Sequence, residues 1–185
     1  MKTLINRLLD YQIKNNCIEK SEKAVYEYAY TILIEECINI VVAFIIGILF
    51  GNVMLVLGFL CSYIPLRRFA GGYHADNGIA CGIVSAILII ILCFLSKVNI
   101  WDLSLVQKNK YIILTISQIC VFILAPIDTE NKKLNEYEKK KYHMIVAKIL
   151  IAQMFVANII TLLNINYLFG GIIYSHIVLN CMLFM

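Results

Sequence analysis

An all-α, polytopic membrane protein is the fold class this sequence predicts, on three observations. Of its 185 residues 61% are hydrophobic and 15% charged, and the mean hydropathy is +0.81. A soluble domain carries about 45–50% apolar and about 25% charged residues, so the surplus apolar side chains need surroundings that the chain itself does not provide. Second, the apolar residues run continuously instead of alternating. Only helices and closed barrels satisfy every backbone N–H and C=O inside a bilayer, and continuous runs select helices. Third, Lys and Arg gather at alternate connections between the runs, as expected of a chain that crosses a membrane several times.

Residues 1–24 read as an amphipathic helix. Leu4, Ile5, Leu8, Leu9 and Ile13 recur at helical spacing opposite Lys2, Asn6, Arg7, Asp10 and Lys14. Such a helix either lies in the membrane interface or forms a solvated arm. It lacks the apolar core and small-residue cleavage site of a signal peptide. Six apolar segments follow, at 28–50, 51–66, 79–95, 111–126, 144–163 and 165–185. A spanning helix needs about 20 residues. The second and fourth segments are shorter, and the second contains Gly58 and Pro65, so each is either a span or a half-buried, re-entrant helix.

Charge sets the direction. With the N-terminus inside, Lys2, Arg7, Lys14, Lys20, Lys23, Arg67, Arg68, Lys132, Lys133, Lys139, Lys140 and Lys141 are cytoplasmic, and only Lys97, Lys108 and Lys110 lie outside. Lys148 falls at the inner end of the fifth segment. Trp101 and Tyr111 then mark the outer interface, and Tyr63, Tyr73 and Tyr142 the inner one. The net charge of +4 suits loops that face anionic lipid and does not call for nucleic acid. No linker, repeat or low-complexity tract divides the chain, which reads as one domain over 1–185, with 1–24 at the interface and 28–185 in the membrane.

The segment 66–81 is the least membrane-like stretch between the second and third spans. It contains Arg67, Arg68, Gly71, Gly72, His74, Gly78 and Cys81. His74 and Cys81 are seven residues apart, which on one continuous helix is about 10.5 Å of rise. Proton transfer needs roughly 2.6–3.2 Å. The glycines let the chain turn back, and Asp76 or Asn77 can cap the third span. Cys81 then falls in the first turns of that helix, where the partial positive end favours an anion, and His74 can fold over it as the base of a Cys–His pair.

Each residue also has a plainer reading. Cys81 can be a packing residue, like Cys37, Cys61, Cys93, Cys120 and Cys181 in the apolar runs, and His74 an interfacial polar residue. Arg67 and Arg68 can serve topology alone. The seven cysteines show neither CxxC spacing nor an even count, so neither a disulfide framework nor a zinc site is expected. Glu35 and Glu36 lie within the first span, where carboxylates are costly and are either functional or paired, with water or Lys23 in reach. His143 and His176 are isolated and read as structural. On the residues alone, a peptidase, a small transporter subunit relying on Glu35 and Glu36, and a non-catalytic scaffold using the lysine-rich 132–141 loop all stand.

At this segment the sequence resembles the accessory gene regulator protein B family, the membrane peptidases of Gram-positive quorum sensing. The matching residues are Arg67, Arg68, Ala70, Gly71, Gly72, His74 and Ala75, with Cys81 at the family's spacing. A second match, Ala125-Pro126-Ile127-Asp128-Thr129-Glu130-Asn131-Lys132, resembles the family's Ala-Pro…Thr-Glu-Asn-Lys loop. Lys133 departs from it, where many members carry proline, which bears on loop shape more than on chemistry. The resemblance implies a cysteine endopeptidase of the bacterial cell membrane with Cys81 as nucleophile and His74 as base. Its substrate would be a short precursor with an amphipathic leader, a macrocycle-forming core and an acidic tail, which the enzyme shortens and helps close into a thiolactone. Arg67, Arg68, Gly71 and Gly72 are then the expected substrate contacts, because guanidinium forks fit carboxylates. No cofactor or metal is expected. The expected partners are the precursor, membrane lipids and, as an option, a second copy in a homodimer.

Overall fold

The computed structural model describes residues 2–71, 78–97, 104–127 and 134–184. Among the described residues the chain is helical throughout its elements, with no strand: α1 Lys2–Lys14, α2 Lys23–Phe50, α3 Val53–Ala70, α4 Gly78–Lys97, α5 Ser104–Leu124, α6 Glu136–Leu162 and α7 Asn166–Phe184. Five of these, α2, α3, α4, α6 and α7, are long and apolar enough to cross a membrane, which makes this a multi-pass membrane protein. The short second and fourth segments of the sequence are both longer as helices. α3 has 18 residues and α5 has 21. At about 1.5 Å per residue α5 matches a hydrocarbon core of about 30 Å. Its first turns carry Gln107, Lys108 and Lys110, which is why apolarity alone places its start too late.

α7 is the hub. Glycines bring it against α3: a side chain at Gly58 would collide with the Leu168 backbone, and one at Gly171 with the Leu55 carbonyl and the Phe59 amide. Small residues at such crossings let helix backbones approach where lipid gives no hydrophobic drive to associate. The pairs Gly58–Leu168, Ser62–Ser175 and Arg67–Met182 show that α3 and α7 run parallel. α5 also runs parallel to α7, through Tyr111 on the Phe169 ring at 5.5 Å and Asn180 Nδ2 donating to the Ser117 carbonyl at 3.0 Å. α6 is antiparallel to both α3 and α5. Its Gln153 Nε2 donates to the Ser62 carbonyl at 2.9 Å, and its Tyr142 and His143 rings meet Phe69 and Phe122 at the far end.

α4 belongs to a second pair. Gly82 accommodates the Asn39 carboxamide of α2, while Lys97 lies over the Phe50 ring at 5.1 Å, so α2 and α4 are parallel along their length. α4 meets α3 only sparsely. Asn52, just before α3, joins the two groups at the end remote from Cys81, donating to the Cys93 carbonyl and the Ser96 hydroxyl at 3.1 and 2.7 Å.

α1 stops at Lys14, short of residue 24. Asn16 takes a positive φ of 54°, which Asn tolerates and which ends the helix. Ile5 and Leu9 are fully buried, while Leu4, Leu8 and Tyr11 remain exposed. The apolar stripe is thus shared between the protein and its surroundings. α1 is tied to α2 by Gln12 Nε2 on the Tyr30 hydroxyl at 2.8 Å, and to its first residue by Lys23 on Asp10 at 2.7 Å. Lys23 therefore answers Asp10, not Glu35 or Glu36. Glu35 is half-buried and Glu36 exposed.

Candidate active site

α3 is a helix with Pro65 inside it, and it delivers Tyr63 and Arg67 to one face because they are four residues apart. Arg67 is half-buried and Arg68 exposed. The Arg67 guanidinium donates from Nη1 to the Tyr63 hydroxyl at 3.0 Å and to the Met182 sulfur of α7 at 2.7 Å. The Tyr63 hydroxyl donates to the same sulfur at 2.9 Å. Tyr63 is half-buried, with its hydroxyl on these two neighbours.

α3 ends at Ala70, and Gly71 takes φ 81° and ψ −148°. That region is open essentially to glycine alone. Gly71 is also pressed against the chain that leaves α5, where an added Cβ would lie 2.6 Å from the Ile127 carbonyl oxygen. The Ile127 amide donates to the Ala70 carbonyl at 3.0 Å. The two sequence motifs, far apart in the chain, therefore meet here. Of the second motif Ile127 makes this contact, following the Ala125–Pro126 bond, which is in the cis form. Asp128, Thr129, Glu130, Asn131 and Lys132 lie outside the described residues, as do Gly72, Tyr73, His74, Asp76, Asn77 and Trp101.

α4 begins at Gly78, which places Cys81 in its first turn, where the sequence expected it. The thiol is free and half-buried. Tyr63 and Arg67 of α3 are thus drawn together with Met182 of α7, while Cys81 stands at the start of α4. The other cysteines differ. Cys93 is buried in the core, Cys120 half-buried, and Cys37, Cys61 and Cys181 face outward from membrane helices. Among the described residues no cluster of three or more His, Cys, Asp or Glu side chains could hold a metal.

His143 packs edge-on to Phe122 at 4.5 Å, and His176 is fully buried with Nδ1 2.8 Å from the Ile172 carbonyl, in keeping with structural roles. The sequence reading missed Met182 entirely. Nothing in the sequence marks it, whereas the spacing of Tyr63 and Arg67 was a usable signal.

These features define a multi-pass helical membrane protein with a free, half-buried thiol at a helix start. The family model for accessory gene regulator B matches residues 5–185, and the chain belongs to that family. It is 30% identical over 126 residues to an AgrB-like protein of Clostridium perfringens strain SM101, covering 66% of this chain and 59% of that one. A second AgrB-like protein, from Clostridium perfringens strain 13, is 29% identical over the same shares. One from Halalkalibacterium halodurans is 26% identical over 92 residues, covering 49% of this chain and 47% of that one. The chain thus spans about three fifths of the length of the first two relatives. No solved structure matches it. That family belongs to the accessory gene regulator system and is broadly linked to peptide processing.

Proposed function

We propose that this chain is a cysteine endopeptidase of the bacterial cell membrane that removes the acidic tail of a short quorum-sensing precursor and closes its core into a thiolactone. The observation that supports this most is the meeting of the two family motifs at Gly71 and Ile127, at the end of the bundle that also holds Cys81. The orientation inferred from the lysines and arginines puts this end in the cytoplasm, where the precursor is made.

In this reading His74 takes the proton of Cys81, and the thiolate attacks the carbonyl at the core–tail junction. Backbone N–H groups at the start of α4, near Gly78 and Ile79, have no helical acceptor and can receive the developing oxyanion. Protonated His74 gives its proton to the departing amine, and the core remains as a thioester on Cys81. A cysteine of the core then gives its proton to His74 and attacks that thioester. The ring thioester forms as the Cys81–acyl bond breaks, and the Cys81 thiol is restored. One thioester replaces another, so the exchange is nearly balanced and needs no ATP. The internal thiol outcompetes water because intramolecular reactions reach effective molarities of about 10⁵–10⁸ M. Arg67 and Arg68 hold the acidic tail, with Gly71 and Gly72 shaping the chain beside it.

The test is enzyme in lipid vesicles with synthetic precursor, read by mass. Wild type should release the tail and yield the ring. Cys81→Ala and His74→Ala should do neither while remaining in the membrane. Cleavage by Cys81→Ala at the wild-type rate would overturn the reading. Loss of cleavage by Glu35→Gln alone, with Cys81→Ala active, would favour a transporter-like role for the carboxylate.

A further inference from the structure

α4 is held mainly by α2, since it meets α3 only sparsely. Burial shows which face α2 turns inward. Ala43, Ile46 and Gly47 are buried, and Val42 and Phe50 pack partly buried against the core. Asn39 continues that stripe one turn nearer the start of α2, at the spacing of four that keeps residues on one face, and it is half-buried. A carboxamide in that place carries a desolvation cost that an apolar side chain would not. Its opposite number is Gly82. The Asn39 Oδ1 lies 2.9 Å from the point that a Cβ on Gly82 would occupy, and Cγ 3.9 Å from it. Ordinary contact begins at 3.4 Å, so the oxygen stands in space that the bare glycine leaves open. Gly82 follows Cys81 directly in the opening turns of α4. The contacts of Lys97 with Phe50, and of Asn52 with the Cys93 carbonyl and Ser96, lie at the far end of the same helix. Asn39 thus meets α4 beside the thiol.

We propose that Asn39 is a positioning residue of the Cys81 site, whose carboxamide, seated on the backbone of Gly82, sets how far the opening turn of α4 stands from α2 and so where the thiol is presented to substrate. This rests on the reading of Cys81 as nucleophile. Asn39 lies outside both sequence motifs and brings α2 into the site. It acts through the backbone of α4, and a misplacement of about 1 Å at a reacting group can cost about a hundredfold in rate.

The experiment uses the full chain in lipid vesicles with synthetic precursor, with wild type and Cys81→Ala run alongside. Asn39→Ala leaves a gap beside Gly82. Gly82→Ala drives a methyl group against the carboxamide, which must retreat by about 0.5 Å to reach ordinary contact. The double variant fills the gap with that methyl. Each single variant should lower kcat for tail release about tenfold, while KM stays within about twofold because Asn39 touches no substrate. The double variant should recover to within about threefold of wild type. The same preparations are alkylated with iodoacetamide, and peptide mass spectrometry follows each cysteine. Relative to the exposed Cys17, the half-buried Cys81 should react several-fold faster in each single variant, because its neighbours no longer hold their places, and near the wild-type rate in the double. The buried Cys93 should stay slow throughout, which reports an intact bundle.

Unchanged alkylation of Cys81 in both single variants overturns the proposal, whatever the cleavage rates. So does a double variant whose loss is the product of the two single losses, since the two residues would then act apart. Cys93 reacting as fast as Cys17 in the single variants also counts against it, because the loss would then be one of folding. Cleavage by Cys81→Ala strikes the nucleophile reading instead, and the alkylation of Cys81 still decides whether Asn39 seats the turn.

Discussion

Replacing Gly71 by alanine tests whether the two motifs must dock for the site to work. The backbone there, at φ 81° and ψ −148°, is one that costs a residue with a side chain about 1–3 kcal/mol. The new Cβ would stand 2.6 Å from the Ile127 carbonyl oxygen, where ordinary contact begins at 3.4 Å, so the segment after α5 must retreat by about 0.8 Å. That retreat pulls on the Ile127–Ala70 hydrogen bond of 3.0 Å. A bond of that kind is worth about 0.5–1.5 kcal/mol net. Together the docked geometry loses about 2–4 kcal/mol, or about 30-fold to 1,000-fold in population. Tail release from precursor, measured as an initial rate at equal membrane abundance, should fall at least about tenfold. Gly51→Ala is the control. Gly51 also has a positive φ, 70°, but nothing lies within 4 Å of its added Cβ, and it sits at the opposite end of α3. It should cost about 1–2 kcal/mol of stability and leave processing near wild type. If Gly71→Ala cleaves within about twofold of wild type, docking of the two motifs is not required and the reasoning fails.

Gly171→Ala should destabilise the bundle as a whole, because its Cβ would overlap the Leu55 carbonyl and lie 2.6 Å from the Phe59 amide nitrogen. Overpacking of this kind costs about 1–3 kcal/mol, visible as a lower unfolding midpoint in detergent; an unchanged midpoint would show that α3 and α7 can part freely. Topology is open to thiol labelling: a membrane-impermeant reagent added to intact cells should miss Cys81 but modify Asn99→Cys in a background lacking the native cysteines. Labelling of native Cys81 from outside would reverse the orientation.

The helices were legible because bilayer solvation writes itself into long apolar runs, and the position of Cys81 in the first turn of α4 followed from reading Asp76 or Asn77 as the cap before it. Helix ends were less legible where polar turns extend a span. α6 starts at Glu136, well before the apolar run, because Asn135 and Glu138 form a reciprocal cap, with Glu138 N–H on the Asn135 side chain at 2.8 Å. The Asn-x-x-Glu spacing was a readable start signal. α5 opens with two lysines that Tyr111 and Phe169 accommodate in part, Lys110 lying over the Phe169 ring at 4.9 Å. Apolarity does not register such a cation–ring contact. The partnering of Arg67 with Met182 was illegible for a different reason. It joins residues 115 apart, and one sequence carries no trace of which helix becomes a neighbour of which.

That separation has a consequence for the making of the protein. Cys81 leaves the ribosome about a hundred residues before Met182, so the nascent chain carries this thiol long before the sulfur that tethers Arg67 exists. Gly58 likewise waits for the Leu168 backbone, and Ser62 for Ser175. The helix that supplies Met182 is also the hub on which α3, α5 and α6 close, so the tethering of Arg67 and final assembly coincide. A chain interrupted before α7 would hold both family motifs in the membrane and still lack the partner that α3 packs against.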